Sequence, residues 1–316
     1  MKYTNLGASG LTVSRVCLGG NSWGSAGRRA WSAFDAEGSA PFFKRALDHG
    51  INFFDTADVY NLGASEAAMG EHLLGAVPRE DLVLCTKVGL PMGSGPNQSG
   101  LGRKHVMASI DASLKRLKTD YVDVYMLHRF DPLTPVEEIM GTLADIIRAG
   151  KARYIGASTM RPTQLARMQL FARAHALPGF VSMQNLYNLL NREEEADMNP
   201  FCAEEGIALT PYSPLARGVL SGNRGPEMQG GATERARQDK QAATYLNEDA
   251  FAVVARVKAV AAQTGAAPSQ VALSWLLHQK GLAAPVVGVT KLEQIDDAAK
   301  ATELVLTPEQ LATLGG

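Results

Sequence analysis

The chain has 316 residues, of which 46% are hydrophobic and 20% charged, a balance that supports a large buried core and excludes disordered or fibrous behaviour. Its 31 Lys and Arg face 32 Asp and Glu, for a net charge of −1, so no global field draws in nucleic acid or an anionic membrane. The cysteines Cys17, Cys85 and Cys202 are far apart, with neither a CxxC pair nor zinc-ligand spacing, which excludes a disulfide framework and a metal centre built on them.

The opening MKYTNLGASG lacks the apolar stretch of a secretion signal, and no segment reaches the roughly 18 unbroken apolar residues of a membrane span. A cytoplasmic location is expected. Residues 2–13 read as a small hairpin around Ala8-Ser9-Gly10, placed to plug one end of a barrel. Short apolar runs follow at 16–19 (VCLG), 51–54, 82–86 (LVLCT), 122–127 (VDVYML), 154–157 (YIGA), 180–183 (FVSM), 207–210 (IALT) and 284–287 (APVV). Helical patterns separate them at 40–49, 106–117, 135–149, 162–176 and 194–205, and a further one at 269–279 precedes the last run. Strands alternating with helices imply a parallel sheet. Eight such units predict an α/β (β/α)8 TIM barrel over residues 1–316 as a single domain. No GxGxxG follows the first run, which removes the commonest dinucleotide-binding signature. From about 215 to 245 the pattern lapses into a long Gly-rich, charged loop after the seventh strand, a length that usually carries function.

In such a barrel the chemistry sits where strands end on the C-terminal face. The residues expected just after each run are Gly19 and Gly20, Asp55, Lys87, His128, Ser158, Gln184, Tyr212 and Gly288. Asp55, Tyr60, Lys87 and His128 could act together. A Tyr hydroxyl is a weak acid at neutral pH, but a nearby ammonium such as Lys87 favours the phenolate and makes it a better proton donor. Asp55 would hold Lys87 charged, and His128 would orient a carbonyl oxygen by donating a hydrogen bond. Each also has a plainer reading: Asp55 as a loop cap, Tyr60 as an exposed aromatic, Lys87 as a salt-bridge partner. Lys87 could alternatively form a Schiff base in an aldolase-like lyase.

At these residues the sequence resembles the aldo-keto reductase superfamily. The matching text is LGGNSWG (18–24), FFDTADVYNLGASE (53–66), CTKVG (85–89), YVDVYMLHRFDP (121–132), GKARYIGAST (150–159), SMQNLYNLLNREEE (182–195), PYSPLARGVLSG (211–222) and PVVGVTKLEQIDD (285–297). The wording of HRFDP and QNLYNLLNREEE is most similar to the bacterial aryl-alcohol dehydrogenase-like branch. The resemblance implies NADPH-dependent reduction of an aldehyde or ketone, with Tyr60 as general acid, Asp55 and Lys87 tuning it, and His128 orienting the substrate. It implies that Ser158, Thr159 and Gln184 hold the nicotinamide carboxamide and that Tyr212 stacks on the ring. Gly20 is expected beside the nicotinamide. Ser213, Leu215, Arg217 and Gly218 would line the pyrophosphate, with the long loop folded over it. Gly288, Thr290, Lys291, Gln294 and Asp297 would form the 2′-phosphate and adenine site at a helix start, where Lys291 suits an anion. Asp297 stands where many relatives have Asn, and Gly20-Asn21 replace a commoner Thr-Met pair. Trp23, Tyr60, His128, Phe130 and Trp31 are expected to wall the substrate pocket, Trp23 reading equally as a packing residue, with Arg129 meeting a charge or pairing with Asp131. The competing reading within the superfamily is an NADPH-binding redox-sensing module with little turnover.

Overall fold

The structure, a computed structural model, describes residues 1–24, 34–222 and 242–315. Trp31 and most of the 215–245 loop lie outside them. Strands β1 (Tyr3–Asn5) and β2 (Thr12–Ser14) pair antiparallel as the expected hairpin. The barrel strands are β3 (Cys17–Gly19), β4 (Phe53–Asp55), β5 (Val83–Val88), β6 (Val122–Leu127), β7 (Ala152–Ser158), β8 (Phe180–Gln184), β9 (Ala208–Leu209) and β10 (Val286–Gly288). They form one eight-stranded parallel sheet in which β10 lies beside β3 and the others follow in chain order. The two ends of the sheet meet. Leu209 N donates to Gly281 O at 2.9 Å, Ala283 N to Leu209 O at 2.9 Å, and Val286 N to Pro211 O at 2.9 Å. Closure leaves no open sheet edge and gives the (β/α)8 barrel.

Helices cover the outside: α1 (Ala36–Asp48), α2 (Ala64–His72), α3 (Arg103–Leu117), α4 (Val136–Arg148), α5 (Pro162–Ala174), α6 (Met198–Glu205), α7 (Glu248–Thr264), α8 (Pro268–Leu277), α9 (Glu293–Ala301) and α10 (Pro308–Gly315). The 194–205 pattern divides, with a short 3-10 turn at Glu193–Glu195 before α6. The reason is Asp197, which leaves helical geometry to cap α6 at the Met198 amide, 2.7 Å away, as a short polar side chain does at a helix start.

Two apolar layers result from the two-residue alternation of strand side chains. Leu84 and Val88 of β5, with Tyr125 and Leu127 of β6, face outward into the core shared with the helices. Val83, Cys85, Val124, Met126, Cys17 and Phe53 point inward and fill the barrel. The same parity continues up each strand. Lys87 follows Val83 and Cys85 on the inner face, and Asp55 follows Phe53, so strand geometry alone aims both at the lumen. Gly20, His128 and Tyr212 follow β3, β6 and β9 as expected, whereas others of the expected rim residues end strands rather than follow them: Asp55, Ser158, Gln184 and Gly288 are the last residues of β4, β7, β8 and β10, and Lys87 lies inside β5. Their backbones are still paired with neighbouring strands, Lys87 opposite Met126 and Ser158 opposite Gln184. The ladder therefore continues past the point where apolarity stops.

The hairpin closes the opposite end. Leu6 and Val13 are fully buried members of the lumen cluster, and Ala8 N donates to Gly206 O at 2.7 Å. Gly7 makes this approach possible. Its φ is +62°, and a Cβ there would lie 2.7 Å from Val181 O and 2.9 Å from Ala208 N. Backbone atoms cannot move aside as a flexible side chain can. Gly7→Ala is expected to destabilise the protein by about 2–4 kcal/mol, read as a lower urea midpoint, whereas Gly10→Ala, which meets nothing within 4 Å, should shift it little. Equal midpoints for the two variants would show that the plug does not contribute to the folded barrel.

Candidate active site

The loop leaving β4 carries two of the four expected residues. Asp55 ends the strand, and Tyr60 opens a 3-10 turn in which Asn61 and Leu62 adopt left-handed φ of 49° and 54°. Such φ values are uncommon outside glycine and mark a strained turn. Asn61 Nδ2 secures it by donating to Trp23 O at 2.6 Å. Lys87 is fully buried. Its ammonium donates to Asp55 Oδ2 at 2.5 Å, to Thr56 O at 2.8 Å and to Tyr60 Oη at 3.4 Å. Burial opposes a charge on Lys87, but the negative charge of Asp55, with Tyr60 adding to it, holds the ammonium's pKa above the ordinary lysine value. Gln184 Nε2 donates to the other Asp55 oxygen at 2.9 Å. The Tyr60 and His128 rings meet edge to face with centroids 5.7 Å apart. Asp55, Tyr60, Lys87 and His128 are thus brought together at one point on the C-terminal rim.

Asp55, Tyr60 and His128 open onto a cleft of about 1040 Å³. Its wall also contains Ser158, Thr159, Gln184, Tyr212, Ser213, Leu215, Arg217, Gly218, Gly288, Thr290, Lys291, Gln294 and Asp297. The stretch after β9 is shaped by consecutive tight turns, with positive φ at Ser213, Ala216, Arg217 and Gly218. A Cβ on Gly218 would meet no atom of the described residues within 4 Å. At the start of α9 the side chain of Gln294 accepts hydrogen bonds from Thr290 N at 2.7 Å and Lys291 N at 3.2 Å. Those amides are therefore occupied, and Lys291 is left as the anion-attracting group there. Asp297 takes bonds from Ser269 Oγ at 3.1 Å and Gln270 Nε2 at 2.7 Å, tying α9 to α8.

Three expected positions lie elsewhere. Trp23 is fully buried with its ring 4.3 Å from that of Phe43, because the chain turns back after β3, Trp23 N bonding to Gly20 O at 3.2 Å. Phe130 packs against the outer core and does not line the cleft. Gly20 faces Ser65 and Met69, which a Cβ would meet at 2.6 and 2.8 Å, and its neighbours Asn21 and Ser22 reach the cleft instead. Val59, Leu90 and Pro91 also line it without having been signalled in the sequence. Arg129 is exposed on the wall and does not pair with Asp131, whose carboxylate is taken up by Leu101 N at 2.8 Å, Leu133 N at 2.9 Å and Thr134 Oγ1 at 2.7 Å.

A family profile described as "Aldo/keto reductase family" matches residues 15–315. The chain belongs to the aldo/keto reductase family. Among its relatives, the versiconal hemiacetal acetate reductase of Aspergillus parasiticus is 37% identical over 336 aligned positions, covering 99% of this chain and 96% of that protein. The aldo-keto reductase dtxS3 of Metarhizium robertsii is 39% identical over 335 positions, covering 98% and 89%. A Schizosaccharomyces pombe protein carrying aryl-alcohol dehydrogenase as a provisional name is 37% identical over 336 positions, covering 99% and 94%. These relatives are fungal and give no support to a bacterial branch. Membership makes this aldo/keto reductase an oxidoreductase of small carbonyl compounds, in a family that typically uses nicotinamide cofactors. Among the described residues no helix is long and apolar enough to cross a membrane, and no cluster of metal-ligating side chains occurs.

Behind the four residues lies a second buried layer. Glu66 of α2 is fully buried, accepting from Thr86 Oγ1 and Arg116 Nε, each at 2.6 Å. Asp58 is 1% exposed, and neither of its oxygens has a hydrogen-bond partner among the described residues. The Val59 amide favours its charge without reaching hydrogen-bond geometry. Burial first, and then the charge of Glu66, push the Asp58 carboxyl up to about 7 from 3.8. The folded state therefore keeps a proton that the unfolded chain has already released, and stability falls as pH rises from about 4 through 7. Asp58→Asn should remove this dependence. Relative to the parent, the variant is expected to gain on the order of 3 kcal/mol between pH 4 and pH 8 in denaturant titrations. A difference between the two proteins that stays constant with pH would show that Asp58 does not titrate in this range.

Proposed function

We propose that the protein reduces aldehydes or ketones to alcohols with NADPH, and that Asp55, Tyr60, Lys87 and His128 are its catalytic residues. The observation that carries this reading is the Lys87 ammonium held 2.5 Å from Asp55 and 3.4 Å from the Tyr60 hydroxyl. When bound, the cofactor supplies the hydride that reaches the carbonyl carbon. Tyr60 Oη donates its proton to the carbonyl oxygen, and Lys87 stabilises the phenolate left behind. Asp55, fixed by Gln184, keeps Lys87 charged and in place. His128 orients the carbonyl oxygen beside Tyr60. Apolar Val59, Leu90 and Pro91 keep water from that end.

The cleft wall suits the cofactor. Ser158, Thr159 and Gln184 would bind the nicotinamide carboxamide, the amide nitrogen of Gln184 being engaged with Asp55 and its carbonyl oxygen left to accept. Tyr212 would stack on the nicotinamide. Ser213, Leu215, Arg217 and Gly218 would line the pyrophosphate, and Gly288, Thr290, Lys291, Gln294 and Asp297 the adenosine end. Lys291 favours the extra phosphate of NADPH. Similarity to proteins named as reductases and as an aryl-alcohol dehydrogenase favours aromatic or branched carbonyls. Residues 1–316 are taken as one barrel domain, since a single sheet draws on strands from Cys17 to Gly288.

Tyr60→Phe is expected to lower kcat/KM at least about a thousandfold, within the range for loss of a general acid, while NADPH Kd by fluorescence changes less than about twofold. Parent-like turnover would remove Tyr60 from the mechanism. NADPH bound tightly by the parent with no oxidation across aromatic and aliphatic aldehydes would favour the redox-sensing module. Lys291→Ala should weaken NADPH about tenfold and leave NADH within about twofold, as for loss of one charge-assisted contact. Equal effects on the two nucleotides would overturn its assignment to the 2′-phosphate.

A further inference from the structure

The rim divides by charge. Arg217 and Lys291 follow β9 and β10, whereas Tyr60, Leu90, Pro91, His128 and Arg129 follow β4, β5 and β6 on the other side of the barrel. On that side the wall is apolar at Val59, Leu90 and Pro91. Apart from the Asp55–Lys87 pair, Arg129 is the only charged side chain among the described residues lining it. Arg129 is exposed and forms no hydrogen bond, ion pair or ring contact with another described residue. Asp131, the acid nearest in sequence, has both oxygens engaged by Leu101, Leu133 and Thr134. A guanidinium is thus kept uncompensated one residue beyond His128.

Resting on the reductase reading above, we propose that the preferred substrates are aldehydes or ketones bearing a carboxylate, which Arg129 pairs with while the carbonyl lies at Tyr60 and His128. The guanidinium fork matches a carboxylate with two parallel N–H···O bonds. A phosphate ester carries more charge and usually draws on several donors. This side of the wall offers a single cation, so a carboxylate fits better. The apolar Val59, Leu90 and Pro91 on this side of the wall suit the body of an aromatic or short aliphatic acid.

The test compares 4-carboxybenzaldehyde and 3-carboxybenzaldehyde with neutral 4-methylbenzaldehyde, using NADPH, in the parent and in Arg129→Met and Arg129→Lys. The readout is the ratio of kcat/KM for the charged aldehyde to that for the neutral one, which cancels general damage to the site. The parent ratio is expected to be about five to ten, the range of one partly exposed charged contact. It should fall to about one in Arg129→Met through a rise in KM, be partly kept in Arg129→Lys, and shrink with added salt. Turnover of 4-methylbenzaldehyde with the same ratio in parent and Arg129→Met would overturn the carboxylate proposal and leave the reductase reading standing. A larger response of glyceraldehyde 3-phosphate than of either carboxylated aldehyde would overturn the choice of carboxylate. If no aldehyde is reduced, the reductase reading fails, and benzoate binding to the protein with NADPH present, by calorimetry, still reads the contact. A loss of about fivefold or more in Arg129→Met supports the pairing, and equal binding overturns it.

Discussion

The ion pair between Lys87 and Asp55 is the constraint on which the site depends. Both groups are almost completely buried, and a charge moved into such a place is costly unless its partner and further hydrogen bonds are already in position. Here they are supplied by elements distant in sequence: the Thr56 carbonyl after β4, the Gln184 amide at the end of β8, and the Tyr60 hydroxyl. Removing either ion leaves the other uncompensated in the barrel, so the pair ties β4, β5 and β8 into one electrostatic unit. The thiols of Cys17 and Cys85 lie just below in the lumen cluster, their pKa values pushed up by burial. They form an inert floor with no thiolate to compete with the pair.

A closed parallel barrel explains how such a pair can be held. Each strand is covered on both faces, so its inward residues pack against one another and leave a polar ring only at the top. Alternation then decides which residues reach it: Asp55 above Phe53, Lys87 above Cys85, Ser158 above Gly156 and Tyr154. The cleft is finished by loops whose backbones adopt costly conformations. Thr159, Ser213, Ala216 and Arg217 all have positive φ and lie within or beside the wall. Strain of this kind persists only where the surrounding fold over-determines it, as the barrel rim does here.

That architecture also accounts for what the sequence disclosed. Apolar runs alternating with helical patterns revealed the barrel and its hairpin, and the polar residues at the ends of those runs revealed the rim. The strand ends were misplaced by a residue or two because the ladder runs on into polar residues, and hydropathy does not report hydrogen bonding. Strands buried on both faces also read as continuous apolar runs, which hides the inward and outward sets. Trp23 and Phe130 show the limit differently. Both sit in motifs beside the site, but a turn after β3 sends one into the outer core and the other packs away from the cleft. Gly20 and Asn21 differ by one residue and face opposite ways. Position along a motif gives proximity to a site, whereas direction comes from the local backbone. The occupation of the α9 amides by Gln294 was likewise invisible, since a Gln at that spacing serves equally as a cap or as a ligand.

The distribution of bonds among the four residues bears on how protons can move. Asp55 accepts from Lys87 at one oxygen and from Gln184 at the other, so both of its oxygens are engaged within the site. Lys87 donates to Asp55 and Thr56 O, is held charged by its partners, and is fully buried. Of the four, Tyr60 and His128 both lie on the cleft wall, and their rings stand edge to face with centroids 5.7 Å apart. His128 lies on the same strand end as Arg129, which gives that part of the wall a hydrogen-bond donor and a cation in consecutive residues. Tyr60 rests on the ammonium that can accept its phenolate as a neighbour. In the proposed reaction the two would divide the work along the chain, the β4 and β5 side losing a proton and the β6 side holding the molecule that receives it.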